Sequence, residues 1–206
     1  MHGCAPPHEF GACSGVPLDP PIGDLPSRQV PEAAGGKLRY LFRPLNPMPF
    51  LPTEFTIPAV VQTERFRMRS ITIHDAFKDY DAVMSSRDHL WSRFGAIWGW
   101  PAADLSIEQN IIDLAWHQKE FQLRSSFDYA VMSLDERRLL GCVYIDPPDA
   151  SGTDADVWFW ARQSELSTGL EEQLGEFVAS WLASAWPLKK VTLNGQLRDL
   201  NPPAAA

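Results

Sequence analysis

Phe127-Asp-Tyr-Ala-Val-Met-Ser133, Leu139-Leu-Gly-Cys-Val-Tyr-Ile145 and Asp156-Val-Trp-Phe-Trp-Ala161 read as three short strands. Each is rich in β-branched and aromatic residues and is bounded by turn chemistry. Asp135-Glu-Arg-Arg138 makes a polar hairpin turn, and Pro147 ends the second strand because it cannot donate to a ladder. From Gly169 to Ala185, the residues Leu170, Leu174, Phe177, Val178, Trp181 and Leu182 recur at helical spacing. Trp186-Pro187 stops that helix, since a residue before proline avoids the helical region, and Lys190–Leu193 forms a last strand. A meander that feeds a helix and then another strand is the skeleton of a cofactor cleft. The loop entering the helix, Arg162–Thr168, is where chemistry is expected.

Patterning inside this stretch assigns faces. Phe127, Tyr129 and Val131 share one side. Leu139–Ile145 is almost continuously apolar, which marks a central strand covered on both faces. Ala155, Val157, Phe159 and Ala161 point one way, and Asp156, Trp158, Trp160 and Arg162 the other.

Upstream, Arg65–Thr72 alternates apolar and polar residues as far as Ile71, the pattern of a half-buried strand. Thr72 and Asp75 form a capping pair that opens a helix carrying Phe77, Tyr80, Val83 and Met84. Trp91, Phe94, Trp98, Gly99, Trp100 and Pro101 suggest an aromatic, turn-rich connector. Ser106 with Gln109 caps a second helix that runs to about Arg124. Residues 1–58 hold 12 of the 18 prolines, too little apolar surface to offset the entropy of ordering. The expected organisation is a disordered extension over 1–54, a folded domain over 55–198 and a disordered tail over 199–206. Met48 offers an alternative start to the domain.

The charge balance of −8, with no basic run longer than two residues, excludes binding through a nucleic-acid backbone. An acidic surface suits a cationic substrate, although solubility explains it equally well. Three cysteines, two of them near the start, lack the paired spacing of a zinc site. Cys142 reads as a small core residue in a reducing compartment. His117 and Glu120 lie three apart on the second helix and read as a surface pair, so no metal is expected. No apolar run approaches the roughly 18 residues of a membrane span, and no secretory leader is evident. The cytoplasm is the expected compartment.

Three segments together resemble the GNAT (N-acetyltransferase) superfamily. Thr63-Glu-Arg-Phe-Arg-Met-Arg69 is similar to the family's opening strand, and Leu140-Gly-Cys-Val-Tyr-Ile145 to its central strand. Trp158-Phe-Trp-Ala-Arg162 followed by Gly169-Leu170 and an amphipathic helix resembles its cofactor-binding strand, loop and helix. The resemblance covers roughly residues 60–193. It implies an α/β (α+β) fold in which a mixed, mostly antiparallel sheet is flanked by helices. It also implies acetyl-CoA as cosubstrate and N-acyl transfer to a small amine. At the three defining positions of the family's pyrophosphate loop stand Ser164, Ser167 and Gly169, of which Gly169 alone matches.

By this resemblance the cofactor would meet Phe159, Trp160, Ala161, Arg162, Ser164, Ser167, Thr168 and Gly169. Backbone N–H groups at the helix start would cradle its phosphates. Thr168 with Glu171 offers a competing reading, a capping box that satisfies the same groups. Acid and base roles fall to Tyr144, Asp156 and Tyr129, with Asp128 and Glu165 as further candidates; each is also an ordinary core or strand residue. Trp91, Trp98 and Trp100 either wall an acceptor pocket or pack under the connector. Two other readings stand beside the transferase: a GNAT-like binding module without activity, and a homodimer completed at an open sheet edge.

Overall fold

Why the central strands are apolar on both sides is answered by two layers of helix. The computed structural model describes residues 50–149 and 152–200; most of the expected extension and tail lies outside them. Seven strands pair in strict chain order: β1 (Val60–Gln62), β2 (Arg67–Ser70), β3 (Phe127–Met132), β4 (Leu139–Asp146), β5 (Ala155–Ala161), β6 (Lys190–Leu193) and β7 (Gln196–Asp199). All pairings are antiparallel except β5 with β6. Five helices accompany the sheet: α1 (Ala76–Ser85), α2 (Arg87–Trp98), α3 (Ile107–Leu123), the single turn α4 (Gln163–Leu166) and α5 (Leu170–Ala185).

On one face α5 buries Leu170, Leu174, Val178 and Leu182 against Tyr129, Val143, Ile145, Val157 and Phe159. Each such side chain contributes about 1.5–3 kcal/mol by leaving water, which holds a helix whose N-terminus has no side-chain cap. On the other face Ala82 and Val83 of α1, Leu90 and Phe94 of α2 and Leu114 of α3 cover Ala130, Met132, Cys142 and Trp160. The alternation expected for β3 and β5 is the one observed. Gly141 lets β4 approach β5: a Cβ there would lie 2.0 Å from the Trp160 carbonyl oxygen.

Several boundaries move. Phe50 and Leu51 already belong to the fold, with Leu51 buried and the Phe50 ring 6.0 Å from that of Phe127. At the other end Asp199 pairs with Lys190 and Leu200 is buried. The stretch expected as a connector is largely helix: nothing between Arg87 and Trp98 breaks it, and Gly99 at φ 62° ends it. The short strands β1 and β7 carry too few residues to show a period. The second helix is capped as expected, Ser106 Oγ accepting from the Gln109 N–H at 3.2 Å.

Candidate functional site

Between the helical layer and the sheet lies a cavity of about 130 Å³. Helix α1 supplies Asp79; α2 and its exit supply Trp98 and Trp100. Helix α3 presents Asn110, Asp113, His117 and Glu120 along one face, and the strands add Ser126, Asp128, Tyr144 and Asp146. Among the described residues no lysine or arginine lines it. Its walls are aromatic and its polar groups predominantly carboxylates.

The aromatic wall is a packed stack. Trp98 lies flat on Phe94 with centroids 4.6 Å apart, and meets Trp158 edge-on at 5.0 Å and Tyr144 at 6.5 Å. Trp100 tilts against Trp160 at 6.2 Å. Trp91, grouped with these two in the sequence, points outward instead and is half exposed.

The polar groups are held individually. Asn110 Nδ2 donates to Asp79 Oδ2 at 3.0 Å and to the Ala76 carbonyl at 3.1 Å, while Cys142 Sγ sits 3.7 Å from Asp79 Oδ1. Burial raises the Asp79 carboxyl to about 6, against the opposing pull of Asn110 and His117. His117 Nδ1 lies 2.8 Å from Asp128 Oδ2 and 4.0 Å from Glu120 Oε2. The Asp128 contact is ionic rather than an aligned hydrogen bond. Burial alone would lower the imidazole, but the Asp128 charge more than reverses this and lifts it to about 9. Burial raises the Tyr144 phenol, whose oxygen accepts from Trp160 Nε1 at 3.0 Å. It also raises the Cys142 thiol, which makes that cysteine inert.

His117 and Glu120 are therefore not a simple surface pair. With Asp128 they place three ligand atoms within 4.8 Å of one another. A metal there would have to displace the proton that Asp128 helps His117 to hold.

The second feature is the open edge of β5. Pairing with β6 ends at Val157 and Leu193. Beyond it, the Asn194 N–H donates to the Val157 carbonyl, and Asn194 Oδ1 accepts the Phe159 N–H at 3.0 Å. Arg93 of α2 donates to the Phe159 carbonyl at 3.1 Å. Glu171 of α5 accepts the Ala161 N–H at 3.3 Å and pairs with Arg93 at 2.5 Å, and His89 Nε2 approaches the same carboxylate at 3.6 Å. Side chains thus cover the backbone groups that a third strand would otherwise use.

Glu171 is consequently absent from the capping box expected with Thr168. The Thr168 hydroxyl donates to the Glu165 carbonyl at 2.6 Å and meets the Arg65 guanidinium. Gly169, at φ 71°, takes the N-cap position, and no side chain caps α5. The first turn lacks a side-chain cap but carries Glu171 and Glu172; Arg65 beside it supplies the positive charge a phosphate group would need, and it is not singled out in the sequence because its partner Thr168 is 103 positions away. Arg162 turns from the loop to Asp81 at 2.5 Å and Ser85 at 2.9 Å. Ser164 Oγ lies 3.4 Å from Arg138, and Ser167 is the C-cap residue of α4, its backbone N–H reaching the Glu165 carbonyl.

Of the residues expected to act as acid or base, Tyr144 and Asp128 reach the cavity. Tyr129 lies on the opposite face, its hydroxyl donating to the Pro58 carbonyl at 2.8 Å among the α5-side core. Asp156 is engaged by Thr192 Oγ1 at 2.7 Å and the Asp149 N–H at 2.8 Å. Glu165 pairs with Arg138 at 3.2 Å.

No family model matches the chain, and no curated protein matches it. Solved structures do. A ribosomal-protein-S5-alanine acetyltransferase from Vibrio fischeri superposes with a TM-score of 0.53 at 16% identity, over 66% of this chain and 73% of that one. RimL, a ribosomal L7/L12 α-N-protein acetyltransferase solved with coenzyme A, gives 0.53 at 12% identity over 65% and 73%. The microcin C7 self-immunity acetyltransferase MccE, solved with acetyl-CoA and AMP, gives 0.52 at 11% over 66% and 73%. The fold of this chain is the GNAT acetyltransferase fold. No described helix is long and apolar enough to cross a membrane.

Proposed function

We propose that this protein transfers an acyl group from a CoA thioester to an amine, which it receives as a cation in the Asp79–Asp128–Trp98 cavity. The observation that carries the reading is that cavity: aromatic faces, five lining carboxylates (Asp79, Asp113, Glu120, Asp128 and Asp146) against one basic side chain, His117, and no lining lysine or arginine among the described residues. Ammonium groups are stabilised both by nearby carboxylates and by aromatic faces. A volume of about 130 Å³ suits the amine end of a small molecule; the solved neighbours named for protein substrates make an N-terminal amine the main competitor. Acetyl-CoA would lie along β5 with its phosphates at the first turn of α5 near Gly169 and Arg65. Tyr144, which lines the cavity and sits on the strand paired with β5, would serve as acid or base between the two.

A second reading is favoured by one specific observation. Arg93, Glu171 and Asn194 seal the β5 edge, which fits a module that binds a cation and transfers nothing. Calorimetric titration with acetyl-CoA, with desulfo-CoA and ATP as controls, separates the two. Saturable binding of acetyl-CoA that weakens in Ser167→Glu, and thiol release with a primary amine, support the transferase. Absence of heat and of any thermal shift at millimolar acetyl-CoA would leave the binding module.

A further inference from the structure

An amine that enters an acidic cavity arrives protonated and has no lone pair for attack, so some group must take its proton. Carboxylates in general hold protons about a millionfold more weakly than alkylammonium groups. Asp79 lines the cavity but is only 5% exposed and is tied to Asn110 and Cys142, and Tyr144 keeps its own proton. His117 is the lining side chain of intermediate proton affinity.

Resting on the transferase reading, we propose that His117 is the base that deprotonates the acceptor ammonium and that Asp128 is its positioning residue. Nδ1 faces Asp128 Oδ2 at 2.8 Å, which leaves Nε2 to exchange protons with the cavity. The Tyr144 ring lies 5.8 Å from the imidazole, so the base stands beside the tyrosine nearest β5. His117 takes one proton from the R–NH3⁺ group, and the freed nitrogen lone pair forms the C–N bond at the thioester carbonyl. The C–S bond breaks with its electron pair going to sulfur. The nitrogen loses a second proton as the amide forms; one of the two protons ends on the thiolate and the other passes to solvent. The products are the amide, the free thiol and H⁺.

The groups acting on His117 are Asp128 of β3 and Glu120 and Asp113 of its own helix; Asp79 of α1, Ser126, and Tyr144 and Asp146 of β4 line the same cavity. Burial lowers the imidazole, and the three carboxylates, Asp128 foremost, outweigh it and set the group at about 9. Neutral imidazole, the form that can act, therefore grows tenfold per pH step up to that point.

The test follows thiol release from acetyl-CoA with 2-phenylethylamine from about pH 6 to 10, for the wild type, His117→Gln and Asp128→Asn. The inference expects the wild-type kcat/KM to climb to a plateau near 9 and the Asp128→Asn breakpoint to move to lower pH. His117→Gln should lose about 10²–10⁴-fold in rate and its dependence on that group. Imidazole NMR supplies a readout apart from turnover: the resonance missing in His117→Gln should titrate near 9 in the wild type and lower in Asp128→Asn. A wild type inactive with every amine overturns the transferase reading and the base with it. An active wild type whose pH profile survives in His117→Gln overturns the base alone. Should His117→Gln fail to fold, an unmoved breakpoint in Asp128→Asn does the same.

Discussion

Replacing Asp79 by asparagine should stabilise the protein at neutral pH and not in acid. The carboxyl is buried, and desolvation lifts it from an ordinary 3.8 to about 6. A raised carboxyl means that the folded state prefers the protonated form. Stability is therefore full below 3.8 and is lost as pH climbs from there to about 6. Each tenfold change in proton affinity corresponds to about 1.4 kcal/mol, so the ionised side chain costs about 3 kcal/mol above pH 6. Asparagine keeps an oxygen to accept from Asn110 and carries no charge to desolvate; allowing about 1 kcal/mol for an imperfectly placed amide, the gain is about 2 kcal/mol. Urea unfolding at pH 7.5 and pH 4.0 reads this as a higher midpoint for Asp79→Asn at the first pH and none at the second. In thermal melts the gain amounts to about 4–8 °C for a domain of this size. A midpoint at pH 7.5 equal to or below that of the wild type would refute the reasoning, because it would mean that the charge is compensated in the fold. A protein that keeps such a carboxylate has exchanged stability for what the cavity does.

Glu171→Ala should free the Ala161 N–H and release Arg93 from its ion pair; as the pair is about one-fifth exposed, a cost of about 1 kcal/mol translates into about fivefold tighter acetyl-CoA binding by calorimetry, and weaker binding would show that Glu171 belongs to the site. Gly141→Ala should prevent β4 and β5 from closing, since backbone atoms at 2.0 Å cannot yield; a loss of about 3 kcal/mol or more would appear in tryptophan-monitored denaturation, and a wild-type midpoint would contradict the close approach. Asn110→Leu leaves the Ala76 carbonyl and Asp79 without their donor, for about 2–3 kcal/mol at neutral pH and less at pH 4, where a protonated Asp79 needs no donor; a pH-independent loss would point to packing alone.

The fold was legible where periodicity was long. The meander, the 3.6-residue stripe of α5 and the Ser106 cap are local signals, and so is the alternation that put Tyr129 on one face and Tyr144 in a different strand. Helix α2 was missed because Trp91, Phe94 and Trp98 read as turn-forming aromatics, whereas Phe94 and Trp98 pack on Trp158 from one helical face and Trp91 lies on the exposed side. The site was less legible because it is assembled at long range. Asp128 and His117 come from different elements, and nothing in the His117–Glu120 spacing announces the third member. Thr168 and Glu171 have the spacing of a capping box, yet Arg65 and Arg93 offer each a stronger, charged partner from a distant element.

Strict chain order in the sheet carries a consequence for how the chain comes together. Every strand is laid beside its immediate predecessor, so no strand has to be threaded between two already in place. β1 to β5 join as antiparallel neighbours, with helices α1 to α3 inserted between β2 and β3. The parallel step from β5 to β6 needs the crossover through α5. On a ribosome the sheet can grow from one edge as each segment emerges. The partial sheet ending at β5 would wait longest, its outer edge bare until α5 delivers Glu171 and the turn at Asn194 closes over it. The time for that last addition, rather than the earlier hairpins, is expected to limit folding, and it sets how long the nascent chain offers a strand edge to its neighbours.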